Sequence, residues 1–384
     1  MANDKPETIA VSAGRMSEEH FGTVNTPVYR TSTILHPNVA SLKADKTRFT
    51  YGRRGTPSTR SFEEAISALE GAARTFSMPS GLNAIATAIL SVCGTGDHLL
   101  MVDSCYGPTR HFCNSVLKRY GVETSYYDPL IGANIAAQFR PNTKAVFCES
   151  PGSLTFEVQD VPAIAEVAHA RGASVLMDNT WGTPIFFPAL ARGVDLSIQA
   201  ATKYIGGHSD VMIGYVSANE QHAAKLDDFV GSTGLYVGGD DCFLALRGLR
   251  TLPVRLKRHQ ETALALTHWL AERPEVSRLL YPALESDPGH TLWKRDFLGA
   301  CGLFGIVLKP VGESAVAAMI DGLRHFGIGY SWGGYESLII PAQFVRTARK
   351  FEAEGPVIRI HAGLEDPGDL IADLEAGFAR MKSS

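Results

Sequence analysis

Two apolar runs near the middle of this chain each lead to an ionisable residue, and that pair constrains the fold more than any other feature. Val175-Leu176-Met177 ends on Asp178, and Leu196-Ser197-Ile198-Gln199-Ala200-Ala201 runs through Thr202 to Lys203 before a Gly206-Gly207 turn. Runs this short and apolar read as two strands, each delivering one ionisable residue at or just beyond its end. The surrounding pattern agrees. Further strands are predicted near His98–Val102, Val122–Tyr126 and Ala145–Cys148. Helical patterns separate most of them, including Val161–Ala170 and a run of small residues after Gly81. This alternation predicts an α/β fold with a largely parallel, doubly wound sheet.

The flanks read differently. Residues 1 to about 55 are rich in Thr, Pro, Arg and Gly and hold no sustained period, so an extended arm is expected there. A helix fits Ser58–Leu69, with Ser58 as its cap and Phe62, Ala65, Ile66 and Leu69 on one face. From about Asp240 one long helical pattern runs through Arg250 to Leu270. A smaller α/β region follows, with strands near Leu303–Leu308 and Val357–Ile360 and helices over Glu313–Leu323 and Asp369–Met381. The expected division is an arm over 1–55, a large domain over 56–240 and a small C-terminal domain over 241–384.

Composition removes several classes of function. A formal net charge of −4 gives no electrostatic case for nucleic acid or an anionic membrane surface. No apolar run is long enough to span a bilayer, and the N-terminus carries charges where a signal peptide needs an apolar stretch. The six cysteines are widely spaced without a Cys-x-x-Cys pair, which favours buried, reduced thiols of a cytoplasmic protein over a disulfide framework or a metal site. A nicotinamide dehydrogenase would share the alternation of strands and helices, but no Gly-x-Gly-x-x-Gly follows an early strand.

One amine and one carboxylate delivered by two strands suit pyridoxal phosphate. The amine forms a Schiff base, and the carboxylate pairs with the pyridinium nitrogen so that the ring acts as an electron sink. The segment from Asp195 to Ser209 resembles the attachment-site signature of the Cys/Met-metabolism family of pyridoxal-phosphate enzymes. The likeness continues, in the family's order, through Tyr51-Gly52-Arg53-Arg54-Gly55-Thr56, Glu149-Ser150-Pro151-Gly152, Tyr330 to Leu338 and Ile358 to Asp366. These blocks span nearly the whole chain. The resemblance implies a fold type I, aminotransferase-like protein: a large domain built on a mostly parallel seven-stranded sheet plus a smaller C-terminal α/β domain.

It also implies roles. Lys203 would hold the cofactor and move the substrate α-proton, and Asp178 would pair with the ring nitrogen. Backbone groups of Gly81 and Leu82, at a helix start, would receive the phosphate, with the Thr202 hydroxyl adding to them. Many relatives carry a serine two residues before that threonine; Ala200 stands there, so one hydroxyl contact is missing or replaced by water. Tyr106 would stack on the ring. Tyr51 and Arg53 would reach phosphate in a neighbouring subunit, making the protein a homotetramer of dimers with shared sites. Arg359, in an apolar strand, would hold the substrate carboxylate, with Ser331 and Trp332 lining the same pocket. His208 and His361 are read as structural.

The expected reaction is β-elimination on L-cystathionine, yielding homocysteine, pyruvate and ammonia, with Lys203 or Tyr51 as candidate proton donor to the leaving thiolate. The aromatic at Trp332 favours cleavage at Cβ, since many γ-enzymes of the family carry an aliphatic residue there. γ-Elimination and γ-replacement remain the alternatives, and cysteine desulfhydration is an expected side activity. A non-catalytic cofactor-binding regulator would lack Lys203, Asp178 or Arg359, and all three are present.

Overall fold

The computed structural model describes residues 4–44 and 47–383. Seven strands form the central sheet: β1 (Arg74–Met78), β2 (His98–Val102), β3 (Glu123–Tyr127), β4 (Thr143–Glu149), β5 (Ser174–Asp178), β6 (Leu196–Gln199) and β7 (Gly214–Ala218). Their order is β1-β7-β6-β5-β4-β2-β3. β7 is antiparallel to both its neighbours, and the remaining pairings are parallel. β2 and β7 are buried along their whole lengths, as strands covered on both faces must be. The carboxyl ends of β1 to β6 therefore face one way, and Gly214 joins them because it pairs with Met78.

A second sheet has the order β10-β11-β12-β9-β8, built from β8 (Val276–Leu280), β9 (Leu303–Leu308), β10 (Gly327–Ile328), β11 (Leu338–Pro341) and β12 (Val357–His361). The expected α/β architecture is present, with a larger, mostly parallel sheet and a smaller second one. Strands β1, β7, β8, β10 and β11 are additions to the sequence reading. β1 carries a charge and two hydroxyls in five residues, and β10 is only two residues long, so neither shows an apolar run.

Three details correct the sequence reading. The helix expected over Ser58–Leu69 spans Pro57–Glu70 and is capped by Thr56, whose side chain accepts the Thr59 N–H. Pro57 at the first position needs no donor and sets φ for the helix. Ser58 instead donates to the Pro27 carbonyl and accepts the Tyr29 N–H, tying the arm down. Second, the long helical pattern is two helices, Gly239–Leu249 and Leu252–Ala271, broken at Arg250-Thr251. Pro253 lacks an N–H to continue the first helix and crowds its preceding turn. Third, the arm is not wholly extended. It contains the helix Pro6–Ser12, whose Ala10 carbonyl accepts a hydrogen bond from Arg250 at 2.8 Å.

All six cysteines are buried free thiols. Among the described residues no helix is long and apolar enough to cross a membrane.

Where the helix Pro57–Glu70 meets the sheet, Glu70 is buried in a polar pocket. Oε1 accepts from Ser197 Oγ at 3.0 Å and Tyr215 OH at 2.9 Å, while Oε2 meets no donor among the described residues. Burial raises its carboxyl to about 7, with the two hydroxyl bonds pulling the other way. The folded protein thus keeps a proton that the unfolded chain loses above about 4.5, so stability falls as pH rises towards 7. Glu70→Gln keeps an acceptor for both hydroxyls without titrating. Urea unfolding at pH 5 and pH 8 should show wild type losing roughly 3 kcal/mol more than the variant over that interval.

Candidate active site

Parallel pairing brings the ends of three adjacent strands together. Glu149 at the end of β4 lies in register with Asp178 at the end of β5, and Asp178 with Ile198 of β6. Asp178 Oδ1 accepts both the N–H and the hydroxyl of Thr180, at 3.0 and 2.6 Å. The Thr180 hydroxyl also accepts the Ala200 N–H, so it ties the end of β5 to the turn after β6. Burial raises the Asp178 carboxyl, and the Thr180 bonds and the Lys203 charge partly offset this. Glu149 is pushed well up, by burial first and by Asp178 second.

Lys203 lies in a tight turn whose backbone is fully engaged. Its N–H reaches the Ala200 carbonyl, and its carbonyl accepts from Gly207. Beneath it, the buried Arg255 donates to the carbonyls of Tyr204 and Gly248, each at 2.7 Å. On the other side Gly333 approaches so closely that a Cβ there would lie 2.8 Å from the Tyr204 nitrogen; its φ of +80° also favours glycine. The Lys203 ammonium donates to Ser331 Oγ at 2.9 Å and stands 5.4 Å from the Trp332 ring centre. Burial, then the neighbouring Arg359, lowers the amine to about 8.

Arg359 comes from β12 and is 7% exposed. It donates to the carbonyls of Gly329, Tyr330 and Ser331 at 3.0–3.1 Å. No carboxylate pairs with it among the described residues, and burial lowers it to about 10. Ser331 thus touches both cations, Lys203 through its hydroxyl and Arg359 through its carbonyl. Trp332 packs on Tyr204 behind Lys203, with ring centres 5.5 Å apart.

The helix Gly81–Val92 begins at the same edge. Ser80 caps it, accepting the Asn83 N–H, while the Gly81 and Leu82 N–H groups precede any carbonyl the helix can offer. A Cβ on Gly81 would lie 2.4 Å from the Ala200 Cβ, and one on Gly214 would lie 2.5 Å from the Ser80 carbonyl. Three small residues therefore bring backbone amides to the Lys203 turn. The Thr202 hydroxyl accepts the Ile213 N–H at 2.9 Å and donates to the Ile213 carbonyl at 3.0 Å, closing the loop that leads to β7.

Tyr106 stands 45% exposed above the sheet edge, its N–H held by Glu149 at 2.7 Å. The structure does not bring Tyr51 and Arg53 to these residues within one chain. They stack on each other at 5.7 Å and line an open groove of about 540 Å³ with Arg30 and Tyr236. Arg53 Nη1 lies 3.4 Å from the Gly231 carbonyl. Among the described residues none of their hydrogen bonds or ring contacts involves Lys203, Asp178 or Arg359. His361 and His208 bond the Gly334 and Gly206 carbonyls.

The family model of Cys/Met metabolism PLP-dependent enzymes matches residues 7–379. The chain belongs to this family. It is 44% identical to the cystathionine beta-lyase of Escherichia coli, with 99% of this chain and 100% of that one covered. To the cystathionine beta-lyase of Haemophilus influenzae it is 40% identical, over 97% and 98% of the two chains. A crystal structure of cystathionine gamma synthase from Xanthomonas oryzae, in complex with aminoacrylate and cysteine, superposes with a TM-score of 0.92 at 32% identity, covering 99% of both chains.

The residues of this family member fit pyridoxal phosphate. Amide groups at Gly81 and Leu82 offer an anion cradle that can lie against Ala200 only because Gly81 has no Cβ, Asp178 is a buried carboxylate whose Oδ2 is left for a cationic ring nitrogen, and Lys203 is an amine with a lowered proton affinity. Sequence reading missed Glu149, Thr180 and Arg255. Glu149 opens one of the resembling blocks but was given no role, and the signal for the first two was position: one ends β4 and the other lies two residues after Asp178. Arg255 carries no such mark, because the carbonyls through which it braces the lysine turn, those of Tyr204 and Ile205, lie some fifty residues away.

Only the neutral amine captures an aldehyde. Borohydride trapping of pyridoxal phosphate at Lys203 of the apoenzyme, mapped by peptide mass, should speed up with pH and level off once the pH passes about 8.

Proposed function

We propose that this chain catalyses the pyridoxal-phosphate-dependent β-elimination of L-cystathionine, consuming one water and releasing homocysteine, pyruvate and ammonia. The observation that carries this reading is the Ser331 bridge, which sets an amine of lowered proton affinity beside a guanidinium with no carboxylate partner. An α-amino acid presents a carboxylate for the second and an α-proton for the first. The choice of the β-carbon is supported by relatives of 40–44% identity that are named cystathionine beta-lyase over nearly their full lengths.

In this reading Arg359 grips the substrate carboxylate with two parallel N–H bonds and so fixes the α-carbon over Lys203. Ser331 steers the amine, and the low dielectric keeps part of it neutral and ready to take the α-proton. The cofactor, when bound, supplies the electron sink for the charge left at that carbon. Asp178 would hold a proton on the ring nitrogen, Tyr106 would cover the ring, and the Gly81 and Leu82 amides would receive the phosphate, with Thr202 adding its hydroxyl only on turning from the Ile213 carbonyl. Trp332 walls the pocket behind the amine. Lys203 or Tyr51 returns a proton to the departing sulfur.

Tyr51 and Arg53 of a neighbouring subunit complete the phosphate site, and the protein is a homotetramer assembled as two dimers. Their exposure, and a groove whose lining includes none of Lys203, Asp178 and Arg359, support that sharing. Residues 1–55 then serve as the arm, 56–240 as the cofactor domain and 241–384 as the small domain, with the buried thiols suited to the cytoplasm.

Loaded enzyme given L-cystathionine should release pyruvate together with homocysteine; 2-oxobutyrate with cysteine would move the reaction to the γ-carbon. Arg359→Lys loses the two-pronged grip and should raise KM about 10- to 100-fold, the worth of one or two charge-assisted bonds.

A further inference from the structure

Asp103 follows β2 directly and is 1% exposed. Its carboxylate receives five donors. Four belong to one short stretch: the N–H groups of Thr347 (2.9 Å), Ala348 (2.8 Å) and Arg349 (3.1 Å), and the Thr347 hydroxyl (2.9 Å). The fifth is the Arg110 guanidinium at 2.6 Å, which also lies 3.8 Å from the Tyr126 ring centre. Burial pushes the Asp103 carboxyl up, but these amide and guanidinium bonds outweigh it and hold the group below its ordinary value.

The stretch belongs to the 342–356 connection, which leaves the second sheet after β11 and returns as β12. Two further pairs fasten it to the central sheet. Arg346 meets Glu157 at 3.0 Å, and Arg349 meets Asp128, the residue after β3, at 3.2 Å. The connection therefore rests on the same edge of the central sheet that carries the active site. Both of its neighbours matter to the chemistry. At its far end, Ile340 of β11 pairs directly with Arg359. At the near end, Asp103 opens the loop that reaches Tyr106, and the Ser104 carbonyl of that loop is held by the Ser153 N–H.

We infer that Asp103 is a positioning residue for this reaction: it latches the 342–356 connection to the central sheet and thereby sets where Arg359 stands relative to Lys203 and Tyr106. The inference rests on the assignment of Arg359 to the substrate carboxylate. Asp103 itself touches neither substrate nor cofactor. Its action is to hold one sheet against the other. The N–H groups of Thr347, Ala348 and Arg349 have no acceptor but this carboxylate among the described residues, so removing its charge loosens the three consecutive residues together.

The test uses the pyridoxal-phosphate-loaded enzyme and Asp103→Asn, which keeps the shape and removes the charge. Arg346, Arg349 and Lys350 are trypsin sites inside the latched stretch, and their backbone must open before it is cut. Cleavage at these bonds in the native state should be about 10- to 100-fold faster in the variant, the factor expected from losing charge-assisted hydrogen bonds. KM for L-cystathionine should rise about tenfold, while kcat and cofactor retention stay within about threefold. Unchanged cleavage at these bonds, or a lower melting temperature with KM unmoved, would overturn the inference. Should Asp103→Asn not fold, Glu157→Gln loosens the same stretch through Arg346 and must move cleavage and KM in the same directions. The protease rate requires no substrate. If wild type fails to cleave cystathionine, the proposed activity falls, and the latch is still decided by trypsin.

Discussion

Parallel pairing of β4, β5 and β6 decides, in a single register, where the ionisable groups leave the sheet. Glu149, Asp178 and the turn to Lys203 stand side by side because their strands end together. The arrangement is costly in isolation. Two carboxyls and an amine share a half-buried region, and burial opposes each charge. Only a rigid, fully hydrogen-bonded frame keeps such groups from collapsing onto one another or turning to solvent. Thr180, Arg255 and the Gly81–Ala200 contact provide that frame.

The second sheet contributes the remaining charge, and it does so through one residue. Ser331 offers its hydroxyl to Lys203 and its carbonyl to Arg359, so two cations of opposite sheets are referred to the same few atoms. Neither cation is neutralised by the contact, which leaves both responsive to an anionic, proton-bearing molecule arriving between them. Tyr204, beside Lys203 in sequence, packs on Trp332 from the β10–β11 connection and on His361 of β12, which closes the space behind the amine with rings.

Much of this was legible in the chain. Apolar runs revealed β2, β4, β5, β6, β9 and β12 because each is buried on both faces, and burial is what the alphabet of residues records most directly. β1 was invisible for the opposite reason: its Arg74, Thr75 and Ser77 are satisfied by partners distant in sequence, among them Glu63 and Ser217. The two helices around Arg250 read as one, since a proline at a helix start and a proline inside a helix look alike until the break is seen. Arg359 was noticed because a charge in an apolar strand is rare. Asp103 was not, although it is more completely buried, because an acid after a strand is ordinary and four of its five donors lie more than 240 residues away.

The antiparallel run of β7 has a consequence for how this chain tolerates change. Every other strand of the central sheet ends at the edge that carries the site, whereas β7 begins there, with Gly214. The stretch from Ala200 to Gly214 consequently starts and finishes at the same place, pinched shut by Thr202 and Ile213. A segment closed in this way has no slack to absorb an added or lost residue. Length variation there would displace the lysine and both small residues that flank the anion cradle together, so this stretch should be the least permissive part of the molecule to insertion.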